Sequence, residues 1–357
     1  MNKKMLLTLL GVSSLALAAS PFNFENAKPL SIEVDTKGTV SNTIVGKNFD
    51  AKDTTFKHNN KVVLDVYEFA KVTGELAYKA GKAGAALEPS ETGAKVELNF
   101  KKYGNPYVSM YADKTLTLGY KNEGKVNKVK VNGDAEYKLS NEFKTHTLKV
   151  GAGSEYTINP KTNAKARVEL KYNVTPSTKK HIVTPKVSGE VTYKHSDMLS
   201  VTGSTEVSIP ITVLNKDVTP GLDTKTIVST EIKPIKNLTV NGKVELGTAT
   251  TFVKAGSSLN INTTVTGSLE SGVAYDITKE IHTVDRLVIT PSFDAKLAFG
   301  GLGLSLTPAV EAKYEIIKNL KVNAKAETGI NFGKTVSNKY GYLNSTPSLK
   351  VGLNYKW

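Results

Sequence analysis

The chain has 357 residues, 47 Lys and Arg against 33 Asp and Glu, a net charge of +14 and no cysteine. A chain without cysteine carries no disulfide scaffold and no thiolate metal site. The lysines alternate with apolar residues and form no cluster, so the basic balance does not point to nucleic acid. After the N-terminal segment, no run of eighteen apolar residues offers a membrane-spanning helix.

Residues 1–19 read as a cleaved secretory signal peptide, with Lys3 and Lys4 before MLLTLLGVSSLALAA and the small-x-small site Ala16-Leu17-Ala18. No cysteine follows the cut, so the segment is not a lipoprotein signal. Residues 20–357 are expected to form one domain. Beyond the signal, a two-residue period takes over, as in Ala94, Val96, Leu98 and Phe100 alternating with Lys95, Glu97, Asn99 and Lys101. It recurs at 126–139, 143–157, 164–173, 186–193, 199–213, 238–246, 259–277, 287–299, 304–316 and 320–332. Ordinary globular strands run about five or six residues. Strands that cross a bilayer at a tilt need about nine to eleven. The lengths therefore favour the membrane.

The chain also repeats itself. KVTGELAY (71–78), KVNGDAEY (130–137) and KVSGEVTY (186–193) are near copies, and four looser copies follow, with a glycine in phase in six of the seven. One supersecondary unit, an antiparallel hairpin with a short turn, is used many times. The connectors read as two kinds. SNE (140–142), KHSD (194–197), KPIKN (233–237), IIKN (316–319) and GG (300–301) are short. The stretches 47–60, 80–91, 214–224, 249–257 and 333–345 are longer and polar. This suggests tight turns on one side and loops on the other. The expected fold is all-β, a single closed antiparallel transmembrane β-barrel of about 16 strands, with 14 to 18 open.

The last strand carries the most specific signal. Leu349, Val351, Leu353, Tyr355 and Trp357 alternate with Lys350, Gly352, Asn354 and Lys356, and Trp357 is the only tryptophan. A terminal aromatic after apolar residues at every second position resembles the C-terminal assembly signal of bacterial outer-membrane β-barrel proteins. The Lys/Asn/Thr-rich style is similar to outer-membrane proteins of fusobacteria-like organisms. The resemblance implies a Gram-negative-type outer-membrane location. It also implies a last strand recognised by the barrel-assembly machinery, with Trp357 at the membrane–water interface.

Nothing in the sequence calls for an enzyme, a cofactor or a metal. The five histidines, at 58, 146, 181, 195 and 282, have no metal spacing, and His195-Ser196-Asp197 reads as a polar turn. The polar face remains. The expected pore-lining residues are Lys71, Lys95, Lys130, Lys165, Arg167, Lys171, Lys186, Lys243, Lys321 and Lys325, with Glu97, Glu169, Glu245 and Glu311. Lys165, Arg167 and Lys171 share one face of one strand and are expected to act as a group. Bases outnumber acids on this face, which biases a pore toward anions. The function expected is a porin-like diffusion pore with a basic lumen and mild anion preference, for small ions or solutes. The alternative is a structural or adhesive barrel whose loops bind a host or cell partner. A secreted soluble β-repeat protein is the third class. The partners expected are outer-membrane lipid and a possible homo-oligomer.

Overall fold

In a computed structural model, the described residues are 31–356 apart from 42–43, 46–54, 67–68, 82–83, 101–102, 141, 216, 256–257, 281–285, 300–302, 318–319 and 335–339. The signal segment, the Gly-Gly turn, His282 and Trp357 lie outside them. The remainder is one antiparallel sheet. Its strands in chain order are β1 (Ser31–Ser41 and Ile44–Val45), β2 (Thr55–Val66), β3 (Ala70–Gly81), β4 (Gly84–Leu87 and Gly93–Leu98), β5 (Asn105–Tyr111) and β6 (Leu116–Val126). Next come β7 (Val129–Ser140), β8 (Thr145–Asn159), β9 (Thr162–Thr175), β10 (Lys180–Ser196), β11 (Leu199–Ser208 and Ile211–Leu214) and β12 (Asp217–Ile232). The last are β13 (Leu238–Ala255), β14 (Ser258–Tyr275 and Ile277–Glu280), β15 (Arg286–Ala298), β16 (Gly303–Ile317), β17 (Leu320–Lys334) and β18 (Tyr340–Lys356).

Each strand pairs with its neighbours in sequence. β18 also pairs with β1, from Glu33 opposite Lys356 to Ser41 opposite Ser348, and β1 pairs in turn with β2. The sheet is therefore a closed barrel of 18 strands, not 16. Closure leaves no free edge, so every strand's backbone groups find partners inside the sheet. Eighteen strands about 4.8 Å apart and tilted by about 40° make a cylinder about 35 Å across at the backbone.

The connections do not alternate between short and long. Apart from 46–54, each is six residues or fewer at both rims. Three of the polar stretches expected as loops are largely strand: 214–224 enters β12, 249–257 finishes β13, and 333–345 runs into β18; 80–91 also contains the first part of β4. The turns use backbone conformations that suit tight hairpins. Glu142 and Phe143 in the β7–β8 turn both have positive φ, 56° and 67°, as a type I′ turn requires.

The outer face is apolar and exposed. Val150, Val168, Leu170, Val187 and Val191 all stand on it, among other large hydrophobics. Aromatics mark its two borders. Near the rim that holds both chain ends are Tyr156, Tyr193, Tyr275, Tyr314 and Tyr355, each late in its strand. Near the far rim are Tyr78, Tyr137 beside His146 (2.6 Å) and Tyr172 beside His181 (2.7 Å). On β8, His146 and Tyr156 are ten residues apart, about 25 Å of height in a tilted strand, which is the apolar band of a membrane barrel. Among the described residues, buried apolar side chains gather mainly in the wall of β2–β6, around Val63, Phe69, Ala77 and Val96, with Ala309 of β16 apart from them.

Candidate functional site: the inner wall

The polar face is the concave one. A recess of about 590 Å³ spans β11 to β16 and is lined by Thr202, Lys243, Glu270, Asp294, Lys296 and Thr307, among others. A second, of about 500 Å³, is lined by Lys165, Arg167, Glu190, Glu206 and Lys225. Contacts that skip a strand locate the inside independently, because side chains two strands apart converge only on the concave side. The Tyr107 hydroxyl on β5 donates to Glu136 on β7 (2.6 Å). Arg167 on β9 donates to Asp134 on β7.

Both contacts pass over a glycine of the strand between. A Cβ on Gly119 would collide with the Tyr107 ring, and one on Gly151 with the Arg167 guanidinium. The outward glycine Gly74 has nothing within 4 Å of its missing Cβ. Two kinds of glycine therefore coexist. We expect Gly119→Leu to destabilise the barrel by about 1–3 kcal/mol through overpacking. Gly74→Leu, which adds an apolar group toward lipid, is expected to be neutral or stabilising. Urea unfolding from lipid vesicles measures both, and equal effects would contradict this assignment of faces.

All fourteen residues expected to line a pore stand on the inner face. Most are paired there. Lys165 meets Glu190 (2.8 Å), Lys186 meets Glu206 (2.9 Å), and Lys95 meets Glu97 (2.6 Å). Lys130 lies 3.7 Å from Glu155 and Lys71 lies 3.9 Å from Asp65. Glu169 takes Lys149 (3.1 Å) and Arg167 (3.6 Å). Glu245 bridges Lys225 (2.7 Å) and Lys243 (3.0 Å), Glu311 takes Lys313 (3.0 Å), and Lys325 takes Glu327 (2.7 Å). Lys171 and Lys321 have no carboxylate at ion-pair distance among the described residues. Lys165, Arg167 and Lys171 thus do not behave alike: two are neutralised locally and the third is not. The parity of each strand also brings inward acids such as Glu231, Asp223 and Glu315, so bases exceed acids on the wall only slightly.

One feature of the wall was not legible in the sequence. Residues Glu88–Thr92 interrupt β4 and fold inward over β3. Ala77, on the inner face of β3, is 1% exposed beneath them. Its N–H donates to the Thr92 hydroxyl oxygen (3.0 Å), and that hydroxyl donates to the Ala77 carbonyl (3.3 Å). Glu91 then reaches across β3 to β2, where it pairs with Lys57 and accepts from the Asn59 amide (3.3 Å). Pro89 explains the break, since it has no N–H for the ladder. The turn narrows the lumen from one side.

At the far rim, Glu142 sits between Lys114 (2.9 Å) and Lys144 (3.3 Å) and ties two neighbouring turns. The hydrogen bonds from these ammonium groups hold its carboxyl below the usual carboxylate value. The tie is therefore complete above the ordinary glutamate pKa and is lost as pH falls through the depressed one.

No protein-family model matches the chain, and no curated protein matches it. Solved structures do. A BenF-like porin from Pseudomonas fluorescens Pf-5 aligns over 93% of this chain and 100% of its own, with TM-score 0.56 and 9% identity. OccAB3 of Acinetobacter baumannii aligns over 92% and 99%, with TM-score 0.54 and 7% identity. OpdO of Pseudomonas aeruginosa aligns over 93% and 98%, with TM-score 0.52 and 10% identity. At such identities the likeness is one of fold. The chain has the porin-like barrel fold of bacterial outer-membrane proteins.

Proposed function

We propose that this chain is an outer-membrane β-barrel that forms an aqueous diffusion pore for small ions and hydrophilic solutes, with a weak preference for anions. The observation that carries the reading is the pair of walls: an apolar outer face bordered by aromatics, and a continuous polar, ion-paired inner face around a lumen. A barrel of sixteen to eighteen strands is wide enough to leave a water-filled channel. The turn at Glu88–Thr92 covers only one side of it. The inner carboxylates and ammonium groups neutralise one another over most of the wall, so the selectivity is small. The slight excess of lysine gives it its sign. Residues 1–19 are proposed to direct export and be removed. The last strand, Leu349 to Trp357, is proposed to be read during assembly. Apart from 46–54, the connections at both rims are short, which weighs against an adhesive role.

Two measurements test the reading together. A folded sample should migrate differently from a boiled one on a denaturing gel, as detergent-resistant closed barrels do. The same sample, added to a planar bilayer, should give discrete conductance steps. A heat-shifting barrel that gives no steps would overturn the pore and leave the barrel in place.

A further inference from the structure

Closure pairs every strand through the part that crosses the membrane band. At the far border, β14 outruns its neighbour. Its ladder with β15 ends at Ser268 opposite Ala298, while its ladder with β13 runs on, without a shift of register, to Ser258 opposite Ala255. A tilted strand crosses the hydrocarbon in about nine to eleven residues. Counted from Tyr275 at the near border, β14 leaves the band close to Val265. The overhang Ser258–Thr266 therefore stands at and beyond the far border, and all nine of its residues are exposed.

Two bonds fix which way its backbone points. The Phe299 N–H donates to the Gly267 carbonyl (2.8 Å), and the Asp276 N–H donates to the Asn237 carbonyl (2.8 Å). Successive residues of a strand turn their backbone groups to opposite sides. The even-numbered residues of β14 thus face β13. Leu259, Ile261, Thr263 and Val265 turn both N–H and C=O to the side where β15 is missing, and no described strand pairs with them there. The chain cannot fill the place itself. Three residues join Phe299 to Gly303, with a reach of about 10 Å, against about 30 Å of overhang.

Proteins blunt such edges with lysine, proline, a bulge or shortness. The first part of β4 is also open toward β5, but it has four residues and stops before Pro89. Ser258–Thr266 has no charge, no proline and no bulge. β13 in turn leaves β12 above Thr251. Phe252–Ala255 and Ser258–Ile261 are then a ribbon of two strands, an arrangement that is marginal alone in water. Its outward side is apolar, with Leu259 and Ile261 each 60% exposed.

We propose that β14 accepts a strand from a separate polypeptide by β-strand addition. The partner is an extended segment of about nine residues, matching the overhang. It is apolar at every second position, continuing Leu259, Ile261 and Val265, and carries amides or hydroxyls between, continuing Asn260, Asn262 and Thr264. The open N–H and C=O groups lie in the plane of the sheet, so they select extended backbone over lipid. A second copy in the same bilayer does not fit. The same edge of two copies meets only about a two-fold along the membrane normal, which crosses strands tilted by about 40° at about 80°. A ladder accommodates about 35° of twist at most. The inference needs the closed barrel and not the pore.

The test uses the full chain in lipid nanodiscs. The probe is a dye-labelled peptide copying residues 247–255, the strand that β14 already matches on its other edge. In the free protein the amides of Leu259, Ile261, Thr263 and Val265 should exchange with deuterium about tenfold faster than those of Asn260, Asn262 and Thr264. The peptide should bind saturably and slow the first set. Thr263→Pro removes an N–H from the open side and none from the ladder with β13. It should weaken binding about tenfold or more and keep the heat-dependent gel shift, while Thr263→Val binds as the native chain does. Equal exchange of the two sets in the free chain, no saturable binding, or binding indifferent to Thr263→Pro overturns the proposal. The exchange comparison is made on the native chain, so it decides even if Thr263→Pro does not fold. Loss of the heat shift in the native chain overturns the barrel reading and this inference together.

Discussion

Val168→Lys is expected to cut insertion of the barrel by about 2–4 kcal/mol, the cost of a lysine or arginine on the lipid face near the bilayer midplane. Val168 is central in β9, 54% exposed, and lies between Ala152 and Val187 on the outer face. No ion pair is available there, since its neighbours on that face are all apolar. A change of this size lowers the folded-to-unfolded ratio by roughly thirtyfold to a thousandfold. Ser204→Lys is the matched control. Ser204 is on the inner wall opposite Glu190 of β10, so a lysine there meets water and a carboxylate. It should fold normally and strengthen the anion preference. Refolding yield into vesicles measures the first effect and reversal potential the second. If the two substitutions exchanged these effects, inside and outside would have been assigned the wrong way round.

The second large effect concerns charge. Lys121, Lys138 and Lys171 face the lumen from β6, β7 and β9 and have no carboxylate at ion-pair distance among the described residues; Lys121 instead lies 5.3 Å above the Tyr107 ring. Replacing all three with glutamate changes the lumen by six charges and breaks no ion pair. In a KCl gradient the reversal potential should change sign, from a weak preference for chloride to a clear one for potassium. The shift should be largest at low salt, because the Debye length falls from about 10 Å at 0.1 M to about 3 Å at 1 M. Replacing Lys165 and Arg167 should do less per charge and cost more stability, since both are already paired, with Glu190 and Asp134. An unchanged reversal potential in the triple variant would mean that these lysines do not border the conducting path.

Most of the architecture could be read from alternation alone, because a wall with lipid on one side and water on the other writes its contrast into every second residue. The reading failed where that contrast fades. β12 passes through TPGLDTKTIV, where Pro220, Thr224 and Thr226 occupy outward positions, so a full strand resembled a polar connector. β13 runs on past the band through Thr248 and Thr250, and its upper part looked like a loop for the same reason. The inward turn at Glu88–Thr92 was hidden for a different one. Its effect depends on Thr92 meeting Ala77 and Glu91 meeting Lys57, contacts between strands that no local pattern encodes. The individual lumen residues were legible as a face. Their pairings were not, because they depend on register, and a residue such as Arg167 reaches past its nearest neighbour to Asp134.

The seam between β1 and β18 has a consequence for how the chain is made. The Asn354 amide donates to Glu33 across it (3.1 Å), joining residues 321 apart in sequence. Every other strand pair in the barrel is a hairpin between neighbours, with low contact order, and can zip as soon as both strands exist. The seam alone has the maximal contact order of the whole chain and carries its largest loop-closure cost. Until it forms, β1 and β18 are two bare edges of a long sheet, ready to pair with another chain. Closure is thus the natural rate-limiting event, and a translation product lacking β18 would be left as an open, aggregation-prone sheet rather than a smaller barrel.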